Sequence, residues 1–171
     1  VRWLAVLGQL AAVLAARLGL GVELPVAACL ACIAASALLN IALRIRFRAS
    51  HRLPAAQATV LLSYDILQLA VLLHLTGGLQ NPFALLFLAP VAIAATSLPL
   101  WATAQLYTVM IAAAGALALF RQPMPWLWGD AVLHPPLYTA TAWLALAVGA
   151  AFVAGYASRV SAETQQLSDA L

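Results

Sequence analysis

Long apolar runs, each closed by glycine, proline or arginine, set the rhythm of this chain. Six emerge, at Trp3–Leu20, Pro25–Leu43, Ala55–Thr76, Phe83–Leu100, Trp101–Phe120 and Leu137–Ala157. Each comes near the ~20 residues a helix needs to cross hydrocarbon. Backbone in lipid must also close its own hydrogen bonds, so each run predicts a transmembrane helix. The breaks fall at Gly21 to Pro25, Pro54, Gly77 to Pro82, Pro99 and Pro123 to Pro136. The fourth and fifth runs meet at Ser97-Leu98-Pro99-Leu100-Trp101 with almost no linker, which leaves a broken or re-entrant helix open there. The pattern predicts an all-α membrane protein, a six-transmembrane-helix bundle occupying residues 1–157.

Residues 158–171 change character. Ser158-Arg159-Val160-Ser161-Ala162-Glu163-Thr164-Gln165-Gln166 is polar but holds no helix breaker. Val153, Val160 and Leu167 recur every seven residues, with Ala157, Thr164 and Leu171 on the other seam. Two heptads of this kind fit either the start of a cytoplasmic coiled coil or a frayed polar tail.

Composition agrees with a lipid-embedded chain. Of 171 residues, 65% are hydrophobic and 8% charged; the mean hydropathy is +1.01. A water-soluble surface calls for roughly 25% charged residues. The formal charge is +3, and all eight basic residues are arginine. They flank the apolar runs, so they read as topology signals rather than as a nucleic-acid patch. With six crossings, Arg2, Arg44, Arg46, Arg48, Arg52 and Arg159 share one side, against Arg17 and Arg121 on the other. The positive-inside rule then puts both termini in the cytoplasm, and the cluster Arg44 to Arg52 beside anionic lipid. Trp126 and Trp128, in the long loop between the last two runs, suit an interfacial belt.

The opening run resembles a signal peptide in placing Arg2 before apolar sequence, but its length fits a retained helix better. The chain begins at Val1 rather than Met, as a piece of a longer protein would. Cys29 and Cys32 have Cys-x-x-Cys spacing but no second ligand pair, so they read as buried thiols and no metal site is expected.

Most of the chemistry gathers at Thr76-Gly77-Gly78-Leu79-Gln80-Asn81-Pro82-Phe83. One reading is a tight helical hairpin: glycine takes the left-handed cap, Asn81 is the N-cap and Pro82 the first helical position. The other is a ligand site. Backbone N–H groups and the Asn81 amide suit the carbonyl edges of a quinone ring, while Leu79 and Phe83 offer an apolar face. The hydrocarbon that an isoprenoid tail needs lies directly below.

Gly77-Gly78-Leu79-Gln80-Asn81-Pro82-Phe83 resembles the GGxxNPF heptapeptide of the RegB/PrrB/ActS redox-sensing histidine kinases. That heptapeptide lies between the third and fourth of six helices. Arg2-Trp3-Leu4-Ala5-Val6-Leu7-Gly8-Gln9, Ala84-Leu85-Leu86-Phe87-Leu88-Ala89-Pro90 and Ala157-Ser158-Arg159-Val160-Ser161-Ala162-Glu163 are also similar to the family. The resemblance spans essentially the whole chain. It implies a bacterial inner-membrane sensor, homodimeric, that binds ubiquinone at Gly77–Phe83 and controls an attached kinase. That kinase autophosphorylates on His and passes phosphate to a response regulator. The family's phosphoacceptor His, redox-active Cys and ATP-binding domain lie downstream, and neither Cys29 nor Cys32 occupies the redox position. The chain itself is therefore expected to be a non-catalytic input module, with ATP bound only by the kinase domain and no nucleic-acid partner.

Other polar residues are weighed singly. Asp65 falls near the middle of the third helix, where an ionised carboxylate costs roughly 2.5–3.5 kcal/mol on insertion scales. Either it has a proton or signalling role, or it is neutral in an interhelical cluster with Gln68, Tyr64 and Ser63. His74, one turn before the glycines and nearly opposite Asp65, either touches a bound ring from below or snorkels to the interface. Gln9, Asn40 and Gln105 read as interhelical glue, and Ala151 with Gly155 as a close-approach pair. Two other functions compete with the quinone sensor. One is a six-helix sensor of the pilus-regulating type with a different stimulus, in which the Gly-Gly turn is structural. The other is a small transporter or membrane enzyme, against which stand a single intramembrane acid, no paired charges and no metal-ligand cluster in the sequence.

Overall fold

The computed structural model describes residues 2–19, 21–46, 54–120 and 135–169. Arg48, Arg52, Arg121, Trp126, Trp128 and Leu171 lie outside the described residues. Helix α1 runs Arg2–Leu14 and continues as a π-helical turn, Ala15–Gly19; α2 is Val26–Arg46 and α3 Ala55–Leu75. Two 3₁₀ segments, Gly78–Gln80 and Pro82–Phe87, lead into α4, Leu88–Ser97; α5 is Leu100–Leu119 and α6 Pro136–Asp169. Among the described residues there is no strand. Five helices are long and apolar enough to cross a membrane, and Pro82–Ser97 is a shorter sixth.

The fourth crossing departs from the uniform helix expected over Phe83–Leu100. It starts as six residues of 3₁₀ helix, becomes α-helical at Leu88 and ends at Ser97. Pro90 marks the join of the two halves: it has no N–H to close an α-turn onto Leu86, and its ring crowds that carbonyl. The tighter winding has a benefit. At ~2.0 Å rise per 3₁₀ residue and ~1.5 Å per α residue, these sixteen residues reach about 27 Å, close to the ~30 Å hydrocarbon core. A continuous α-helix of the same length would fall about 3 Å shorter. Pro99 then separates α4 from α5, its extended backbone turning the chain between Leu98 and Leu100.

Two apolar clusters hold the bundle. The larger joins α3 through α6: Ile66, Leu69 and Leu73 meet Phe87, Val91 and Ala94, together with Leu106, Met110 and Leu117 of α5 and Leu146 and Ala150 of α6. The smaller joins Val6 and Val13 of α1, Cys29 and Ile33 of α2 and Leu72 of α3. Helix α3 serves both. Side-chain donors reach across to helix carbonyls at the α5–α6 contact, where Trp143 Nε1 donates to Ile111 O at 3.1 Å and Tyr107 Oη to Ala147 O at 3.1 Å. Gly115 admits the indole: a Cβ there would sit 3.3 Å from Trp143 Nε1. Helix α6, at 34 residues, is about 51 Å long by its rise and so extends well past any bilayer core.

A polar seam runs between α1, α2 and α3. Arg2 Nη2 meets Asp65 Oδ1 at 2.9 Å. Gln9 and Gln68 exchange amide hydrogen bonds at 3.2 and 3.0 Å. Gln68 also contacts the Cys32 thiol at 3.7 Å, and Ser36 Oγ donates to Tyr64 Oη at 3.4 Å. Asp65 is thus ion-paired rather than alone. Arg2, read from sequence as a topology marker, is its counter-ion, about 15 Å of helix rise from the start of α3. Gln105, by contrast, is exposed, and Asn40 is buried with no partner for its Nδ2 among the described residues.

Removing one charge of such a pair strands the other in an apolar setting, whereas replacing both with apolar residues is close to neutral. Asp65→Leu and Arg2→Leu should each lower stability by about 2 kcal/mol, and the double variant should recover most of that loss. Reversible unfolding in mixed micelles measures it. A double variant as unstable as the sum of the singles would show that the pair does not couple α1 to α3.

Candidate functional site

The hairpin between α3 and α4 is built from its backbone outward. At the end of α3, Thr76 N–H turns back to Leu73 O at 3.0 Å. Gly77 and Gly78 then carry φ of 113° and 66°, values that side-chain-bearing residues avoid. The chain can thereby reverse and enter the next segment in very few residues.

Asn81 locks the reversal. Its Nδ2 donates to Thr76 O at 3.1 Å and to Thr76 Oγ1 at 2.8 Å, while its Oδ1 accepts from Phe83 N at 2.9 Å. Thr76 Oγ1 passes its own hydrogen to Leu72 O at 2.9 Å. A hydrogen-bonded chain therefore runs from the start of the fourth crossing into the last turn of α3. Asn81 O also accepts from Ala84 N at 2.9 Å. The carboxamide that sequence offered as a ligand donor is thus engaged at both ends within the turn, as are the first two N–H groups of the following helix. Thr76 is the residue sequence reasoning undervalued; its signal is a β-hydroxyl beside the glycines, five positions before Asn81.

Burial divides the heptapeptide. Gly77, Gly78, Leu79, Gln80 and Asn81 are buried, with Leu79 inserted into the main core, whereas Pro82 and Phe83 are exposed. Side chains three apart in a 3₁₀ helix eclipse one another, so Pro82–Phe87 has three faces. Ala84 and Phe87 form the inward face, and Phe87 is fully buried. Pro82 with Leu85, and Phe83 with Leu86, form the outward two. Phe83 is 50% exposed and Leu86 45%. An aromatic ring at the mouth of the turn, with a leucine directly below it, is a surface onto which a flat apolar ring with a hydrocarbon tail can lie.

His74 is half-buried in the last turn of α3, on the approach to this loop. Asp65 and Gln68 are not brought to it; they belong to the seam with α1 and α2. Among the described residues no cluster of His, Cys, Asp and Glu could hold a metal ion, and Cys29 and Cys32 are free thiols.

The division of labour makes a test. Asn81→Ala should cost about 1–2 kcal/mol through the lost cap and the lost bonds to Thr76. Phe83→Ala, an exposed side chain, should fall within about 0.5 kcal/mol of the parent. Thermal unfolding in detergent separates the two, and equal losses would contradict this division.

Comparison with known proteins adds the family context. The family model described as a PilS-like transmembrane domain matches residues 3–171. The sensor histidine kinase RegB of Cereibacter sphaeroides is 39% identical over 171 residues, which is 100% of this chain and 37% of that protein. A second RegB sequence of the same species is 40% identical over the same span and share. The chain thus covers little more than a third of the length of the curated relatives it matches. No solved structure matches it significantly.

Proposed function

The chain belongs to the PilS-like transmembrane domain family, and from that premise we propose that it is the input domain of a sensor histidine kinase that reads redox state through ubiquinone. The ring lies on Phe83 at the α3–α4 turn, its isoprenoid tail descends past Leu86 into lipid, and α6 carries the signal out of the membrane. Both termini face the cytoplasm, and the domain works as a homodimer. The whole protein autophosphorylates with ATP and passes phosphate to a response regulator.

The observation that carries the ligand reading is the exposed Phe83–Leu86 face beneath a rigid turn. Since the Asn81 amide and the Phe83 and Ala84 N–H groups are occupied, recognition rests on the ring's face more than on its carbonyl edges. A face-packed ring binds without displacing the turn's own hydrogen bonds. To send a signal, oxidised and reduced quinone must favour two helix arrangements unequally.

One observation favours a second reading, a six-helix sensor of the pilus-regulating type with another stimulus. The Asn81 amide is engaged at both ends within the turn without a ligand, as a structural hairpin would require.

The test is photo-crosslinking of a ubiquinone probe to the chain in nanodiscs, with Phe83→Ala in parallel. The quinone reading expects saturable labelling around residues 77–86 that weakens roughly tenfold in Phe83→Ala, the scale of one lost aromatic contact of about 1.4 kcal/mol. Labelling spread over the lipid-facing surface and unchanged by the substitution would select the second reading. Asn81→Ala is the poorer probe, because it loosens the turn itself.

A further inference from the structure

Helix α4 is tied at both ends to other parts of the protein. At its upper end the 3₁₀ run Pro82–Phe87 grows out of the Asn81 turn without interruption. At its lower end the last carbonyls of a helix have no intrahelical N–H partner. Leu98 N takes Ala94 O at 2.8 Å. The next donor in register would be residue 99, which is proline and has none. Ala95 O and Thr96 O are therefore left open, and α6 fills both. Ser158 Oγ donates to Ala95 O at 3.4 Å, and Ser161 Oγ to Thr96 O at 3.0 Å.

The two serines are three apart, on one face of α6, where the helix passes from apolar to polar sequence. The α4–α6 contact is also the most extensive between any two helices of the bundle. A segment that begins at the turn thus ends by holding the exit of α6.

We propose that α4 is the coupling element of this domain, and that Ser158 and Ser161 transmit its position to α6. This rests on the reading of the α3–α4 turn as the ligand site. A six-residue 3₁₀ run is longer than such helices usually persist, so this segment is poised to change its winding. Rewinding Pro82–Leu85, the part that Pro90 leaves free, toward α geometry would shorten it by about 2 Å and turn α4 about its axis. With the serines bonded to its last carbonyls, α4 draws the exit of α6 with it. Without them α4 slides past.

Hydrogen exchange on the chain in nanodiscs, read at residues 159–164, tests this with and without the ubiquinone probe. Without quinone, the pair Ser158→Ala/Ser161→Ala should speed exchange there by about threefold for each lost interhelical bond, roughly ninefold together. Ser158→Thr/Ser161→Thr, which keeps the hydroxyls, should restore it. Thr108→Ala should change nothing, since its hydroxyl bonds only Ala104 O of its own helix. With quinone, the alanine pair should keep the crosslinking at residues 77–86 but lose any quinone-dependent change at 159–164.

Basal exchange within twofold of the parent overturns the proposal, because the serines then hold nothing. So does a quinone-dependent change that survives in the alanine pair. Loss of crosslinking in the alanine pair without recovery in the threonine pair overturns it as well, because the serines would then support the fold as a whole. If the parent itself shows no crosslinking at the turn, the ligand reading has failed, and the basal-exchange arm still decides whether α6 is held by α4.

Discussion

Hydrocarbon offers no hydrogen bonds, and this constraint shapes both ends of the fourth crossing. Where a chain bends in water, solvent satisfies the freed carbonyls and amides; in a bilayer another part of the protein has to do so. The α3–α4 turn meets the demand with Asn81 and Thr76, whose side chains take up the backbone groups that the reversal leaves open. The broken end of α4 meets it with hydroxyls from α6. At both places the irregularity itself brings the polar contact into being. Small side chains complete the arrangement, as at Gly115, where the missing Cβ makes room for the Trp143 indole.

Much of this was legible in the sequence. Six apolar runs gave a six-helix membrane bundle, because length and hydropathy decide that question almost alone. The turn was equally plain, since Gly77, Gly78, Asn81 and Pro82 each have a positional preference that the hairpin uses. What the sequence hid was partnership. Arg2 stands first in an apolar run and reads as a charge awaiting the cytoplasm; only the packing of α1 along α3 brings it to Asp65. The winding of Pro82–Phe87 was hidden too. Pro90 predicts a disturbance one turn earlier but does not say which helix replaces the α form.

The candidate site was located by sequence and re-weighted by geometry. Seven residues marked for a ligand separate into five that are buried in building the turn and two that face outward. Burial rather than residue type separates them: Asn81 has the chemistry of a ligand donor and spends it on Thr76 and Phe83. A motif read as a list of binding groups would give its members equal weight. Here the inner residues build the turn, and the outer surface that springs from it is left to meet the membrane.

The way α4 ends has a consequence for how the protein is made. Synthesis runs from α1 to α6, so the fourth crossing enters the bilayer with Ala95 O and Thr96 O lacking a protein partner until α6 arrives. It is also the shortest crossing and carries prolines at its start and in its body, all of which weaken its hold on the membrane when alone. Of these six helices the last to be made is thus the one that completes the fourth, so the fourth crossing reaches its final form only when α6 is in place.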